Sequence, residues 1–255
     1  MRDIQEQQEQ ETTPLLFTNN TELQQQQQQQ QQKEKANMIK KDAIFGTMTQ
    51  IGLALFVGLI ISVLVRLPYN VFIYHAVFMV AFVVLSTEGI FLLQPTSTPK
   101  EKEKGLKKHA TFIGLSYLCA IGGFSAIMYH KAISHKDHFT SYHGKLGLIV
   151  FCFLLFQFLF GLTMAFIPNL FGSVAKAKSL WKYHRMTGYT LVIIVWVTAQ
   201  LGIRADYIYN NLWSPKLMIG HWIALIFIII GISGRVRLYK WGFSKGNNNT
   251  VVSRN

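Results

Sequence analysis

Charged residues are scarce in this sequence and are missing from long parts of it. Asp, Glu, Lys and Arg make up 15% of the 255 residues, whereas 50% are hydrophobic. An apolar run of about 20 residues can cross a bilayer as a helix, and soluble domains do not carry several of them. Such runs occur at roughly 43–65, 70–93, 109–130, 143–165, 185–204 and 217–236. The sequence therefore predicts an all-α integral membrane protein with six transmembrane helices, surrounded by membrane lipid.

Cysteine, proline and polar alternation are also missing where other classes of protein need them. The two cysteines, Cys119 and Cys152, both fall inside apolar runs, so they do not indicate a secretory disulfide framework. No proline lies inside a predicted helix. The runs do not alternate polar and apolar residues, as the strands of a membrane barrel do. These absences favour continuous membrane-spanning helices.

The basic residues are distributed unevenly over the predicted loops. The net charge is +13, and most lysines and arginines flank the connections on one side of the membrane. Because cytoplasmic loops are enriched in Lys and Arg, both termini are predicted to be cytosolic. The basicity then reflects topology, and no nucleic-acid partner is predicted. The opposite loops hold Arg66, Lys131, Lys136, Arg204 and Lys216.

The sequence divides into a membrane domain, at residues 43–240, and two tails. Residues 1–42 contain a glutamine tract and lack the apolar spacing that buries a helix face, so they are predicted to be a disordered cytosolic tail. Residues 241–255 are predicted to be a second cytosolic tail. The segment from Glu11 to Leu16 resembles an acidic dileucine sorting signal. An endomembrane location (endoplasmic reticulum, vesicle, endosome or lysosome) is therefore predicted over the plasma membrane.

Four consecutive predicted helices carry a histidine near their first residue. His75 and His143 are expected near the non-cytosolic face, and His109 and His184 near the cytosolic face. None is spaced i, i+4 from another, so a shared ligand would have to lie between helices. Two imidazoles that face each other across a bundle can hold a low-spin haem iron. Helix order then predicts a four-helix core, helices 2–5, that binds one haem at each level through the pairs His75/His143 and His109/His184.

Other interpretations of these histidines stay open. A single histidine near a helix end is commonly an interfacial residue, and His130 and His221 compete as ligands at the non-cytosolic level. A tetrahedral zinc site is less favoured, because each level offers two imidazoles. A proton-coupled transporter would use the histidines and Glu88 as relay groups. It would need a discontinuous helix near the midplane, for which Gly122-Gly123 is the candidate.

With these residues the chain resembles the cytochrome b561 family of transmembrane electron carriers, and within it the short branch of cytochrome b561 domain-containing proteins. The resemblance covers about residues 43–240 and implies six helices, two b haems and the four histidines as axial ligands. Its motifs are Tyr74-His75, Ser86-Thr87-Glu88, Lys108-His109, Met128-Tyr129-His130-Lys131, Tyr142-His143-Gly144 and Lys182-Tyr183-His184.

The resemblance also implies an activity, which is the reduction of monodehydroascorbate or ferric iron by electrons from cytosolic ascorbate. Family members are often dimeric, so a homodimer is compatible with it. One departure concerns the donor: ascorbate-using members end the second helix with an arginine-containing motif, whereas Ile90 to Pro95 contain no arginine. Glu88 either accepts a proton from the donor or snorkels to the interface. The lysines that either attract an anionic donor or only determine topology are Lys104, Lys107, Lys108 and Lys182.

Overall fold

Six long helices make up most of the described protein. The computed structural model describes residues 2–96, 98–205, 208–210 and 214–236, with side chains described from residue 22 onward. The helices are α1 (Arg2–Leu64), α2 (Val71–Leu93), α3 (Pro99–Ile133), α4 (Tyr142–Phe166), α5 (Val174–Ile203) and α6 (Pro215–Arg235). Each of the six contains a segment long and apolar enough to cross a membrane. The predicted all-α membrane fold is confirmed, whereas the predicted tail at 241–255 lies outside the described residues.

Helix α3 begins well before its histidine. It starts at Pro99, about three turns ahead of His109. Thr98 and Glu101 form a capping box around this start. Proline is favoured in a first helical turn because an N–H there has no partner within the helix, so its absence costs no hydrogen bond. The expectation that α3 opens at His109 is therefore wrong, because the charged turns that precede its apolar run are helical as well.

Helix α5 shows the same extension. It starts at Val174, about three turns before His184, and Ser173 caps it by accepting the N–H of Lys176 at 3.2 Å. By contrast, α2 and α4 begin within about one turn of their histidines. The two extended helices thus carry charged turns beyond the apolar part of the bundle, at the end of α3 and α5 that precedes their histidines.

Helices α1 and α6 pack antiparallel through glycines that bring the two backbones close together. A Cβ at Gly52 would lie 2.8 Å from the carbonyl oxygen of Ala224, and a Cβ at Gly231 would lie 2.7 Å from that of Phe45. Small residues at a helix contact allow this approach, and close packing is a main source of helix association in lipid. We call α1 and α6 the flanking pair.

The other four helices form the predicted core, in which α2 packs along α3 and α4 packs along α5. Trp196 of α5 joins this core to the flanking pair. Its indole N–H donates to Thr87 Oγ1 of α2 at 3.2 Å, and its ring meets Phe56 of α1 edge-on with centroids 5.0 Å apart. A buried indole with its N–H satisfied is a stable arrangement, and an edge-on aromatic pair contributes about 0.5–1.5 kcal/mol beyond its buried area.

Helix α1 also continues beyond its apolar part towards the N-terminus. Every side chain from residue 22 to residue 41, including the glutamine tract, is exposed. Gln, Glu and Lys have good helix propensity and no proline interrupts residues 22–64, which accounts for a helix here without a buried face. The predicted disorder of residues 1–42 stays a prediction. The segment Glu11 to Leu16 lies where side chains are not described.

Candidate functional site

The four predicted histidines meet in two pairs at two levels of the core. His75 of α2 faces His143 of α4 with ring centroids 6.2 Å apart and ring planes at 80°. His109 of α3 faces His184 of α5 with centroids 6.4 Å apart and planes at 87°. Because α2 and α4 run in one direction and α3 and α5 in the other, the two pairs lie towards opposite ends of the bundle. Their role as haem ligands stays a prediction.

Three of the four rings are fixed by a hydrogen bond from Nδ1 to a backbone carbonyl of the neighbouring helix. These bonds join His75 to Gly123 at 2.8 Å, His109 to Gly89 at 2.9 Å and His143 to Thr198 at 2.9 Å. A carbonyl can only accept, so the proton of each ring is on Nδ1 and the lone pair is on Nε2. Metal-bound histidines commonly have this arrangement, which orients the ring and selects its tautomer.

Glycines on the neighbouring helix leave room for two of the rings. A Cβ at Gly161 of α4 would lie 2.8 Å from Cε1 of His184. A Cβ at Gly202 of α5 would lie 2.9 Å from Cε1 of His143. Any side chain at these two positions would displace the imidazole, so the absence of one is part of how the pairs are built.

The donors at each level fit a six-coordinate b haem. Two imidazoles bound on opposite sides of one metal ion, through bonds of about 2 Å, place their ring centroids roughly 6 Å apart. Both pairs have this separation, at 6.2 and 6.4 Å. No group of three or more His, Cys, Asp or Glu side chains that could hold a metal ion occurs among the described residues. Each level therefore offers two imidazoles, which is the donor set that a six-coordinate haem iron can take from a protein.

His130 and His221, the two alternative ligand candidates, belong to neither of the facing pairs. His130 is beside Phe72, with ring centroids 6.2 Å apart, near the level of His75. His221 of α6 is fully buried, and its Nδ1 donates to the carbonyl of Leu217 on its own helix at 2.8 Å. Its ring packs edge-on against Phe56, which places it between α1 and α6.

Glu88 is hydrogen-bonded to the flanking pair. Its Oε1 accepts from Gln50 Nε2 of α1 at 2.5 Å, and the side chain is half-buried. The next residue in α2, Gly89, supplies the carbonyl that fixes His109. Glu88 is thus at the predicted depth and is paired with a neutral amide; its role in proton transfer stays a prediction.

The four predicted lysines are exposed at one end of the bundle. They are Lys104, Lys107 and Lys108, on the turns of α3 before His109, and Lys182, just before His184 in α5. Lys107 forms an ion pair with Glu103 at 2.8 Å, and both side chains are largely exposed. Such surface pairs contribute about 0–1 kcal/mol and leave the charges available to solvent. We call this the lysine-rich end, and the opposite end, where α2 and α4 begin, the far end.

Sequence patterns did not reveal the partners of the histidines. The acceptors on Gly89, Gly123 and Thr198 are backbone carbonyls, which no side-chain type marks. Gly161 and Gly202 carry only the signal of a glycine inside an apolar helix, and the chain holds 19 glycines. These residues become recognisable only when the facing helix is known.

Comparison with known proteins identifies a family whose model covers this part of the chain. The family model of eukaryotic cytochrome b561 matches residues 74–210, a range that contains all four paired histidines. The transmembrane reductases CYB561D2 of Mus musculus and of Bos taurus are each 30% identical over 132 residues, which is 50% of this chain and 59% of the relative. The chain therefore spans about three fifths of the length of these curated relatives.

Proposed function

The chain belongs to the cytochrome b561 family, and we propose that it is a transmembrane oxidoreductase with two b haems. It takes electrons from ascorbate at the lysine-rich end and delivers them to monodehydroascorbate or ferric iron at the far end. The lysine-rich end and both termini face the cytosol in an endomembrane. The observation that carries the proposal is the presence of two histidine pairs at two levels of one four-helix core.

In this proposal His75 and His143 hold the haem at the far end, and His109 and His184 hold the haem at the lysine-rich end. When bound, each haem supplies a one-electron redox centre inside the hydrocarbon layer. The helices fix the rings and set the distance between the levels. Along α2, His75 and the carbonyl-bearing Gly89 are about 21 Å apart at 1.5 Å per residue. Two levels at this spacing divide a hydrocarbon layer of about 30 Å into short steps.

The residues at the lysine-rich end support an anionic donor. One-electron oxidation of the ascorbate monoanion yields the monodehydroascorbate radical anion, one electron and one proton. The exposed lysines raise the local concentration of an anion. Glu88, adjacent to the carbonyl that holds His109, is the proposed acceptor of the proton. At the far end, one electron and one proton return monodehydroascorbate to ascorbate, or one electron alone reduces ferric to ferrous iron.

Purified protein in sealed vesicles tests the function. Vesicles loaded with a ferric chelate receive ascorbate outside, and a ferrous indicator inside reports the product. Cleavage of the N-terminal tail by added protease gives the fraction of the protein whose lysine-rich end faces outward. We expect ascorbate-dependent ferrous iron inside and about two low-spin haems per chain, and neither with the double variant His75→Ala/His109→Ala. A wild-type protein without haem would refute the function. Haem that ascorbate does not reduce would refute the donor, and haem that ascorbate reduces without ferrous iron inside would refute the ferric acceptor.

The transporter alternative has less structural support. The discontinuous helix that it requires is not formed at its candidate position, since α3 runs unbroken through Gly122 and Gly123. A haem-free preparation that coupled proton movement to the uptake of a solute would favour it over the reductase.

A further inference from the structure

His184 is the exception among the four paired histidines. Three rings are fixed by a bond from Nδ1 to a carbonyl of the neighbouring helix, whereas the buried Nδ1 of His184 has no hydrogen-bond partner among the described residues. Its ring lies instead in the space beside Gly161, which contributes no polar contact. A ligand that is not fixed through its own ring must be positioned in another way if it is to meet His109 with the same separation as the other pair.

A polar bridge reaches the backbone of His184 from α4. Gln157 Nε2 donates to the carbonyl oxygen of His184 at 2.6 Å. The other end of the same amide, Oε1, accepts from Thr187 Oγ1 at 2.8 Å. Both ends of the amide are therefore used by α5, within one turn of the histidine.

Gln157 and Gly161 act on His184 from one face of α4. They are four residues apart, so they lie one turn apart on the same side of the helix. Gln157 holds the backbone of His184, while Gly161 leaves 2.8 Å between its missing Cβ and the imidazole Cε1. The turn of α4 at Gln157 thus positions the backbone of His184, and the next turn, at Gly161, limits where its ring can lie.

Helix α5 is shaped to receive the amide. A Cβ at Gly188 would lie 3.0 Å from Gln157 Nε2. This is closer than ordinary van der Waals contact, so an alanine there would force the amide away from the His184 carbonyl. Gly188 lies four residues after His184, and so its missing side chain opens the path to that carbonyl.

We propose that Gln157 is the positioning residue for His184, and that its amide does for this ligand what the Nδ1–carbonyl bond does for the other three. The inference rests on the proposed haem ligation and adds to it a residue that acts through the backbone of a ligand. It implies that the haem at the lysine-rich end, and not the haem at the far end, depends on Gln157 and on the open space at Gly188.

Two variants and a matched control test this on the full chain in detergent. Gln157→Met keeps the length of the side chain and removes the amide, whereas Gly188→Ala keeps the amide and displaces it. Thr163→Val is the control, because among the described residues the Thr163 hydroxyl bonds only to carbonyls of its own helix, those of Leu159 and Phe160. The two haems are assigned beforehand from the spectra of His109→Ala and His143→Ala.

The readouts are haem transfer to excess apomyoglobin, the redox midpoint of each haem and the low-spin electron paramagnetic resonance signals. Loss of an outer partner of a metal-bound histidine typically weakens the site by about 10-fold or more. We therefore expect Gln157→Met to release the haem at the lysine-rich end about 10-fold faster, with a shifted midpoint and signal for that haem alone. Gly188→Ala should change the same haem, and Thr163→Val neither.

The outcomes separate this inference from the proposed function. Wild-type protein without two low-spin haems would refute the function itself. Wild-type protein with two haems, together with unchanged haems in both variants, would refute only the role of Gln157. Equal loss of both haems in the two variants would make Gln157 a general packing residue and would also overturn the inference. If Gln157→Met does not fold, Gly188→Ala decides the result, since it removes no polar group.

Discussion

Glycines do opposite work in the flanking pair and in the core. Between α1 and α6, Gly52 and Gly231 bring backbones together until no side chain fits between them. Between α4 and α5, Gly161 and Gly202 leave the space that an imidazole ring fills, because each faces the Cε1 of a histidine. The same residue type therefore closes one interface and opens the other.

The difference shows how a bundle in lipid separates stability from binding. Helix association there depends on close packing, which the flanking pair supplies where Gly52 and Gly231 meet the facing backbone. In the core, glycines leave room for two of the imidazoles, and a hydrogen bond from Nδ1 fixes three of the four rings. Trp196, with its hydrogen bond to Thr87 and its contact with Phe56, connects the two regions. Damage to one region should therefore leave a different trace from damage to the other.

The largest effect should come from removing a core histidine. Either His75→Ala or His143→Ala should eliminate the far-end haem, and either His109→Ala or His184→Ala the haem at the lysine-rich end, because a six-coordinate haem needs both axial ligands. Haem per chain and reduced-minus-oxidised spectra measure this. The members of each pair should give matching spectra. If His75→Ala matched His109→Ala instead, the pairing seen between facing rings would not be the pairing that binds haem.

The next largest effect should come from a substitution that loosens the packing between α1 and α6. Gly231→Ala adds a Cβ that overlaps Thr49 Oγ1 and crowds the carbonyl of Phe45, so we expect a loss of about 1–3 kcal/mol in stability. Gly58→Ala in α1 is the control, since no atom lies within 4 Å of its added Cβ. Thermal unfolding in detergent compares them, and the folded fraction of Gly231→Ala should keep both haem signals. A selective loss of one haem would show that the flanking pair takes part in binding.

A smaller effect should follow from filling the spaces in the core. Gly161→Ala should disturb only the haem held by His184, and Gly202→Ala only the haem held by His143, because each new Cβ would lie within 3 Å of that ring's Cε1. We expect roughly 10-fold faster release of the affected haem. Gly114→Ala is the control, since it has open space around its added Cβ. Disturbance of the same haem by both variants would contradict the assignment of the two levels.

The pairing of the histidines could be predicted from the sequence, but their surroundings could not. Apolar run length and helix order are enough to bring His75 to His143 and His109 to His184, because alternate helices share a direction. The starts of α3 and α5 were misplaced, since apolar runs end where lipid ends while helices continue to their caps at Thr98 and Ser173.

The partners of the rings escaped prediction for a different reason. A carbonyl acceptor or a missing Cβ has no side chain that a pattern can detect, and the Gln157 amide reads as an ordinary polar residue inside an apolar run. Glu88 was placed at the correct depth, but Gln50 became its recognisable partner only once α1 was packed against α2. The depth of a side chain follows from its position along one helix, whereas its contact partner is known only when the neighbouring helix has been placed.

The smallest effect concerns charge at the lysine-rich end, and it extends the comparison between core and flanking pair. Lys108 of α3 and Lys40 of α1 are both exposed at this end, but only Lys108 adjoins a paired histidine. A unit charge about 10 Å from an anion in water contributes roughly 0.4 kcal/mol, or about twofold in binding. Lys108→Gln should therefore raise the KM for ascorbate about twofold with kcat unchanged, and Lys40→Gln should not change it. The effect should fade above 0.15 M salt, where the screening length falls below about 8 Å.

Lys107 should matter less than Lys108 because Glu103 already lies 2.8 Å from its ammonium group. Glu103→Gln should accordingly lower the KM. Equal effects of Lys40 and Lys108 would mean that the donor responds to the overall charge of the lysine-rich end and not to the core.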